Sequence, residues 1–100
     1  MKTFKDLDFI EHSISKSARE AIKKMPDVKK GLEDMLGQKQ ALITFDNGLT
    51  ISVLLGSHFY SNGTDTYEAW CEEIDNDPRG YLSKKEVENY MNLIESKIRQ

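Results

Sequence analysis

The stretch ALITFDNGLTISVLLG, Ala41 to Gly56, constrains this chain more than any other. Its β-branched and apolar residues flank Asp46-Asn47-Gly48, a set of turn formers, so it reads as a β-hairpin. Two turns fit these letters and give different sheets. A two-residue turn at Asn47-Gly48 pairs Phe45 with Thr50 and Ile43 with Ser52, mixing polar and apolar side chains on each face. A three-residue loop, with Gly48 left-handed in a bulge, pairs Phe45 with Leu49, Ile43 with Ile51 and Ala41 with Val53. That register collects the apolar side chains on one face and puts Leu42, Thr44, Thr50 and Ser52 on the other. Since a one-residue slip inverts every side chain, the clean apolar face decides for the three-residue loop.

On either side of the hairpin the period is helical. Leu7, Ile10, Ile14, Ala18, Ile22 and Met25 recur at three- and four-residue steps and predict one helix face, which Pro26 ends or kinks; TFKDLDF also reads as a short extended lead-in, so the start of the helix is left open. Asp27–Leu36 predicts a second, short helix carrying Val28, Leu32, Met35 and Leu36, with Gly37 as its left-handed cap. Ser83 and Glu86 form a capping box, and Val87, Tyr90, Met91, Ile94 and Ile98 make the apolar stripe of a helix over 83–99. Between hairpin and last helix, TYEAWCEEI alternates imperfectly; a third strand over about 66–73 and a short helix compete there. The fold class is therefore α+β: a small antiparallel sheet (hairpin about 40–55 plus that third strand), an N-terminal helical segment and a C-terminal helix, with helices covering one face. One hundred residues predict a single domain, 1–100.

Composition excludes several function classes. Apolar residues at 38% and charged residues at 31% suit a soluble globular chain rather than a disordered one. The longest apolar run falls far short of the roughly 20 residues of a membrane span, so no membrane partner is expected. The opening MKTFKDLDFIEH has no leader-type apolar stretch, and Cys71 is the only cysteine; both point to the cytoplasm. Net charge is −3, unevenly spread. Residues 1–30 hold eight Lys/Arg against five Asp/Glu, whereas Asp65 to Asp77 contains six acids and no base. Direct nucleic-acid binding is not expected from this balance. The acids Asp65, Glu68, Glu72 and Glu73 could instead face a basic partner, or simply a solvated surface.

Chemistry-bearing patterns are sparse. DNDPRGYLSKKE, Asp75 to Glu86, resembles a twelve-residue calcium loop, with Asp75 and Asp77 as the first and third ligands, Gly80 at the turn and Glu86 as the bidentate twelfth. Arg79 stands where an oxygen ligand is required, and the same letters make a turn and a helix cap, so no cofactor is expected and Ca2+ is only an alternative. A pocket around Phe59, Tyr60 and Trp70 is the corresponding small-ligand alternative. His12 and His58 have no partner at ligand or triad spacing. Cys71 sits among Glu68, Glu72 and Glu73, and negative neighbours raise a thiol pKa rather than lower it. No catalytic residues are assigned, and a non-enzymatic role is expected.

Asp6-Leu7, Phe9 and His12, then Phe45 to Gly48, Ile51 to Val53, Tyr67-Glu68 and Gly80 to Val87 carry a resemblance. Their pattern, an F-[DE]-N-G-x-x-[IV]-S-V hairpin followed by G-Y-L-[ST] at the last helix, resembles a group of small uncharacterised proteins of tailed bacteriophages. The chain departs from it at Ser13–Gly37, a helical insertion where the group has a short connection, and at SHFYSNGTD, where the group often has a glycine-rich aromatic loop. The matched motifs are scaffold elements and bring no activity with them. What the resemblance implies is context: a phage accessory protein that binds and modulates or inhibits a host protein, a defence system in the manner of an anti-CRISPR being one target class. Lys16, Arg19, Lys23, Lys24, Lys29 and Lys30 make the inserted segment basic and a candidate binding surface, with the acids Asp65, Glu68, Glu72 and Glu73 as the other. A structural or self-assembling role is the remaining alternative, since strand edges and a striped helix would suit a homodimer.

Overall fold

The computed structural model describes residues 2–97. Five strands form one antiparallel sheet in the order β1-β2-β3-β4-β5: β1 Ile10–Glu11, β2 Lys39–Thr44, β3 Thr50–Leu55, β4 Tyr67–Trp70 and β5 Arg79–Leu82. Helix α1 spans Ser13–Lys24, the single turn α2 spans Lys29–Leu32, and α3 spans Lys84–Glu95.

The hairpin has the three-residue loop. Ala41 faces Val53, Ile43 faces Ile51, and the Phe45 N–H donates to Leu49 O at 2.8 Å. Gly48 sits at φ 86°, the left-handed conformation that the bulge demands and that a side chain would resist. The tip is fastened to the far end of α3, because the Asn47 amide donates to the carbonyls of Ile94 and Lys97, each at 2.8 Å. These carbonyls lie at and just past the C-terminus of α3, where the Ile94 carbonyl also takes the Lys97 N–H at 3.1 Å, so the hairpin tip adds a side-chain donor to the end of the helix.

One face of the sheet is the core. Ala41, Phe45, Ile51, Val53, Tyr67 and Ala69 meet Val87, Tyr90, Met91 and Ile94 of α3, all buried. Complete burial of side chains such as Ile51, Met91 and Ile94 contributes about 1.5–3 kcal/mol each. The capping box starts α3 as the sequence predicts: Ser83 Oγ accepts the Glu86 N–H at 3.2 Å and Glu86 returns a bond to the Ser83 N–H at 3.0 Å. The helix ends at Glu95, shorter than the predicted 83–99, and the Ile98 position of its stripe lies outside the described residues. The stripe from Val87 to Ile94 is buried against the chain's own sheet and offers nothing to a second copy.

The contested segment is a strand over Tyr67–Trp70, after which Glu72–Ile74 turn. The N-terminal prediction needs more correction. The chain makes a 3-10 turn at Phe4–Asp6, buries Leu7 in the sheet core, and uses Ile10 in β1 with its side chain 63% exposed. Only then does α1 begin, with His12 as its N-cap: Nδ1 accepts the Ile14 N–H at 3.0 Å. Leu7, Ile10 and Met25 therefore share no helix face with Ala18. The predicted 27–36 helix is α2 between 3-10 turns at Pro26–Val28 and Glu33–Met35, and Gly37 is left-handed at φ 78°.

Helix α1 packs mainly against the turns at 26–35 rather than on the sheet, so α3 alone among the long helices covers the core face. Residues 13–37 form a side lobe between β1 and β2. The molecule measures 51 × 25 × 22 Å with a radius of gyration of 15.2 Å, against about 13 Å for a compact chain of this length. Two buried polar side chains tie the lobe down. Ser15 Oγ donates to Glu11 and accepts the Gly37 N–H, both at 3.0 Å. Gln38 Nε2 donates to the carbonyls of Asp34 and Leu36, and Gln38 Oε1 accepts the His58 N–H.

Candidate functional site

Strand alternation that fills the core face with apolar side chains necessarily turns the intervening residues to the opposite face, and no described helix covers it. The ladder registers arrange that open face in rows. Ile10, Gln40, Leu54 and Glu68 lie across the sheet in one row, Leu42, Ser52 and Trp70 in the next, and Thr44 with Thr50 in the third. The polar members satisfy one another: Thr44 and Thr50 hydroxyls are 2.9 Å apart, and the Gln40 amide reaches Ser52 Oγ at 3.4 Å.

The second row makes a groove. Small Ser52 forms its floor between Leu42, 61% exposed, and the half-buried Trp70. Thr50, Glu72 and Glu73 complete a cleft of about 260 Å3. Trp70 is oriented by its indole N–H, which donates to the Asp75 carbonyl at 2.9 Å, so the ring is held rather than free to fold away. An apolar wall, an aromatic wall and two carboxylates at one end suit a side chain with an apolar stem and a cationic head.

The acids predicted to act together are separated by β4. Asp65 stays in the loop before the strand, accepting from the Asn62 amide at 2.7 Å, and Glu68 takes the Tyr60 N–H at 3.2 Å. Glu72 and Glu73 lie beyond the other end of the strand, on the groove. The basic residues are gathered on the side lobe: Lys16, Lys23, Lys24, Lys29 and Lys30 are exposed, while Arg19 pairs with Glu11 at 2.9 Å. The Arg19 hydrogen bond holds the Glu11 carboxyl below its ordinary range.

The calcium-loop letters have other partners. Residues 79–82 are strand, not loop. Asp75 Oδ2 accepts from Tyr90 Oη at 2.6 Å and from Arg79 Nε at 2.9 Å, and these two donors, Tyr90 first, hold its pKa below the ordinary value. Arg79 also lies 4.1 Å over the Tyr90 ring. Glu86 caps α3, and Asp77 is exposed. Among the described residues no three His, Cys, Asp or Glu side chains come together as a metal site. The aromatic pocket is likewise dispersed: Phe59 packs edge-on to His12, Tyr60 lies near Tyr81, and Trp70 belongs to the groove. Burial pushes the Cys71 thiol above its ordinary pKa.

Leu42, Ser52 and Trp70 are not among the residues that the sequence marks as a protein-binding surface. Alternation puts Leu42 on the polar face of the hairpin, and an apolar residue at that parity is the signal that points to it. Comparison with family models, curated proteins and solved structures finds no match for the chain. Among the described residues no helix is long and apolar enough to cross a membrane.

Proposed function

We propose that this chain is a non-catalytic binding protein that engages another protein through the open face of its sheet. The observation that carries the reading is the groove between Leu42 and Trp70 on a face that no described helix covers, with Glu72 and Glu73 at its end. Monomeric soluble domains rarely leave contiguous apolar surface open without a use, and a tryptophan held in place is the kind of residue that anchors an interface centre. The resemblance to phage proteins supports a host protein as the partner and an inhibitory or modulating role, with defence nucleases as the first class to try.

The test is capture of bacterial proteins on the tagged chain, in parallel with two surface variants. Trp70→Ala removes the aromatic wall, and Lys23→Glu/Lys24→Glu reverses charge on the side lobe. Deleting 13–37 would be a poor control, because Ser15 and Gln38 bind the rest of the fold through it. A host protein retained by the lobe variant and lost with Trp70→Ala supports the reading. Retention by Trp70→Ala with loss on the lobe variant would move the site to the lysines.

A further inference from the structure

The two edges of the sheet are finished differently. β5 carries the usual safeguards against unwanted pairing. Pro78 immediately precedes it, Arg79 opens it, and a bulge interrupts its register with β4 between Tyr67 and Ala69. Tyr81 turns to φ 55° and its N–H is taken by the Tyr60 carbonyl at 2.8 Å. Tyr60 also lies so close over Gly80 that a Cβ there would fall 2.6 Å from its own Cβ.

The β2 edge has none of these beyond Gln40. Because the Phe45 N–H bonds to Leu49, the residues of its parity, Ile43 and Ala41, bond to β3, and Gln38, Gln40, Leu42 and Thr44 turn their backbone groups outward. The His12 N–H takes the Gln38 carbonyl at 2.8 Å and Ile10 pairs with Gln40. There β1 stops, since the chain before it crosses to the core face, with Leu7 buried and Phe9 against Tyr67. Among the described residues, no strand pairs with Leu42 or Thr44 on that side. The stretch has no proline, charge or bulge, and it exposes Leu42.

We propose that this free edge accepts an extended segment of a partner protein as a sixth strand beside β2. The inference rests on the protein-binding reading above and adds how recognition occurs: backbone bonds to Leu42 and Thr44, with alternate side chains of the guest strand laid beside Leu42 on the open face. Register decides against a second copy as the guest. Two-fold pairing about Ile43 would set Asp46 of one copy opposite Gln40 of the other, whose outward backbone groups Ile10 already takes, so β1 blocks the ladder there. Asp8 stands two residues before β1 and Asp46 two residues after β2, so acids flank the free stretch in sequence. A guest with basic residues at its ends meets Asp8 and Asp46 favourably.

The probe is a synthetic peptide, Lys-Val-Thr-Val-Thr-Val-Lys, added to the isotope-labelled full chain and monitored by amide NMR. In the free protein, Leu42 and Thr44 amides are expected to exchange on the order of a hundredfold faster than those of Ala41 and Ile43. Peptide addition is expected to shift and protect Leu42 and Thr44. A Glu-ended peptide, one N-methylated at alternate amides, and the variant Leu42→Pro should each weaken binding on the order of tenfold or more. The proline removes an outward N–H together with the Leu42 side chain, so the N-methylated peptide, which leaves the protein untouched, carries the test of backbone bonding. Undiminished binding of the N-methylated peptide, or slow exchange of Leu42 and Thr44 in the free chain, overturns strand addition. Shifts confined to Ser52 and Trp70 also overturn it while leaving the open-face reading standing. A dimer by sedimentation that Leu42→Pro dissolves would assign the edge to a second copy and overturn the proposal.

Discussion

Tyr90→Phe deletes one oxygen from the buried centre of the fold, and two hydrogen bonds go with it. The hydroxyl donates to Asp75 Oδ2 at 2.6 Å and accepts the Cys71 N–H at 3.0 Å. Phenylalanine keeps the ring, its packing and the Arg79 guanidinium above it. Cys71 is fully buried, so its N–H is left without an acceptor, at about 1–3 kcal/mol. Asp75 loses a charge-assisted bond, but its side chain is 27% exposed and keeps Arg79, so solvent and the guanidinium recover part of that loss. A total of about 2–3 kcal/mol is expected, or a Tm lower by roughly 10–20 °C in a domain of this size. Urea unfolding monitored by Trp70 fluorescence measures it, with an unchanged m-value as the sign that only stability moved. The pH dependence separates the two halves. The Tyr90 bond and then Arg79 hold Asp75 below its ordinary value of 3.8, so its contribution is present above that pH and is lost as pH falls through the lower folded value. The gap between wild type and variant should therefore be constant from neutrality down to about pH 5 and narrow below 3.8 without closing, since the Cys71 N–H does not titrate. A loss under about 1 kcal/mol, or a gap that stays flat into acid, would refute this role for the network.

Three other perturbations probe the lobe, the hairpin tip and the buried thiol. Gln38→Ala removes the bonds joining the side lobe to the 56–66 loop, and amide exchange in 13–37 should accelerate while the hairpin amides hold; uniform acceleration would show that the lobe and sheet open together. Gly48→Ala forces a side chain into φ 86° and should cost about 1 kcal/mol or more by thermal unfolding; a neutral result would mean that the loop takes another form. Cys71 is buried with a raised pKa, so labelling by a thiol reagent at neutral pH should track global unfolding across denaturant concentrations, and fast labelling in native buffer would contradict its placement.

Local features are the ones legible in the sequence. The hairpin register comes from turn chemistry and alternation within sixteen residues, and the α3 cap from four. β1 and β5 are hidden for the opposite reason. Two residues, Ile10–Glu11, have no period of their own, and their strand character comes from pairing with Lys39 and Gln40 across the inserted lobe. The letters of β5 suggest a turn and cap because Pro78, Arg79 and Gly80 are poor strand formers, and pairing with β4 overrides that preference. The groove is half legible. Leu42 stands out at a polar parity, but only the placement of α1 away from the sheet leaves that side bare.

The order of the strands has a consequence for how the chain acquires its shape. Each strand pairs only with its sequence neighbours, so the hairpin, β4 and β5 can be added one after another through short connections. The core face lacks most of its cover until α3 docks, Phe4, Leu7 and Phe9 supplying the rest, and the Asn47 bonds that fasten the helix join residues 47 and 50 positions apart. We infer a transition state with the hairpin formed and α3 still loose. Conservative substitutions at Ile43 and Val53 would then give φ-values well above those at Val87 and Met91, and equal values across the four would place helix docking inside the nucleus.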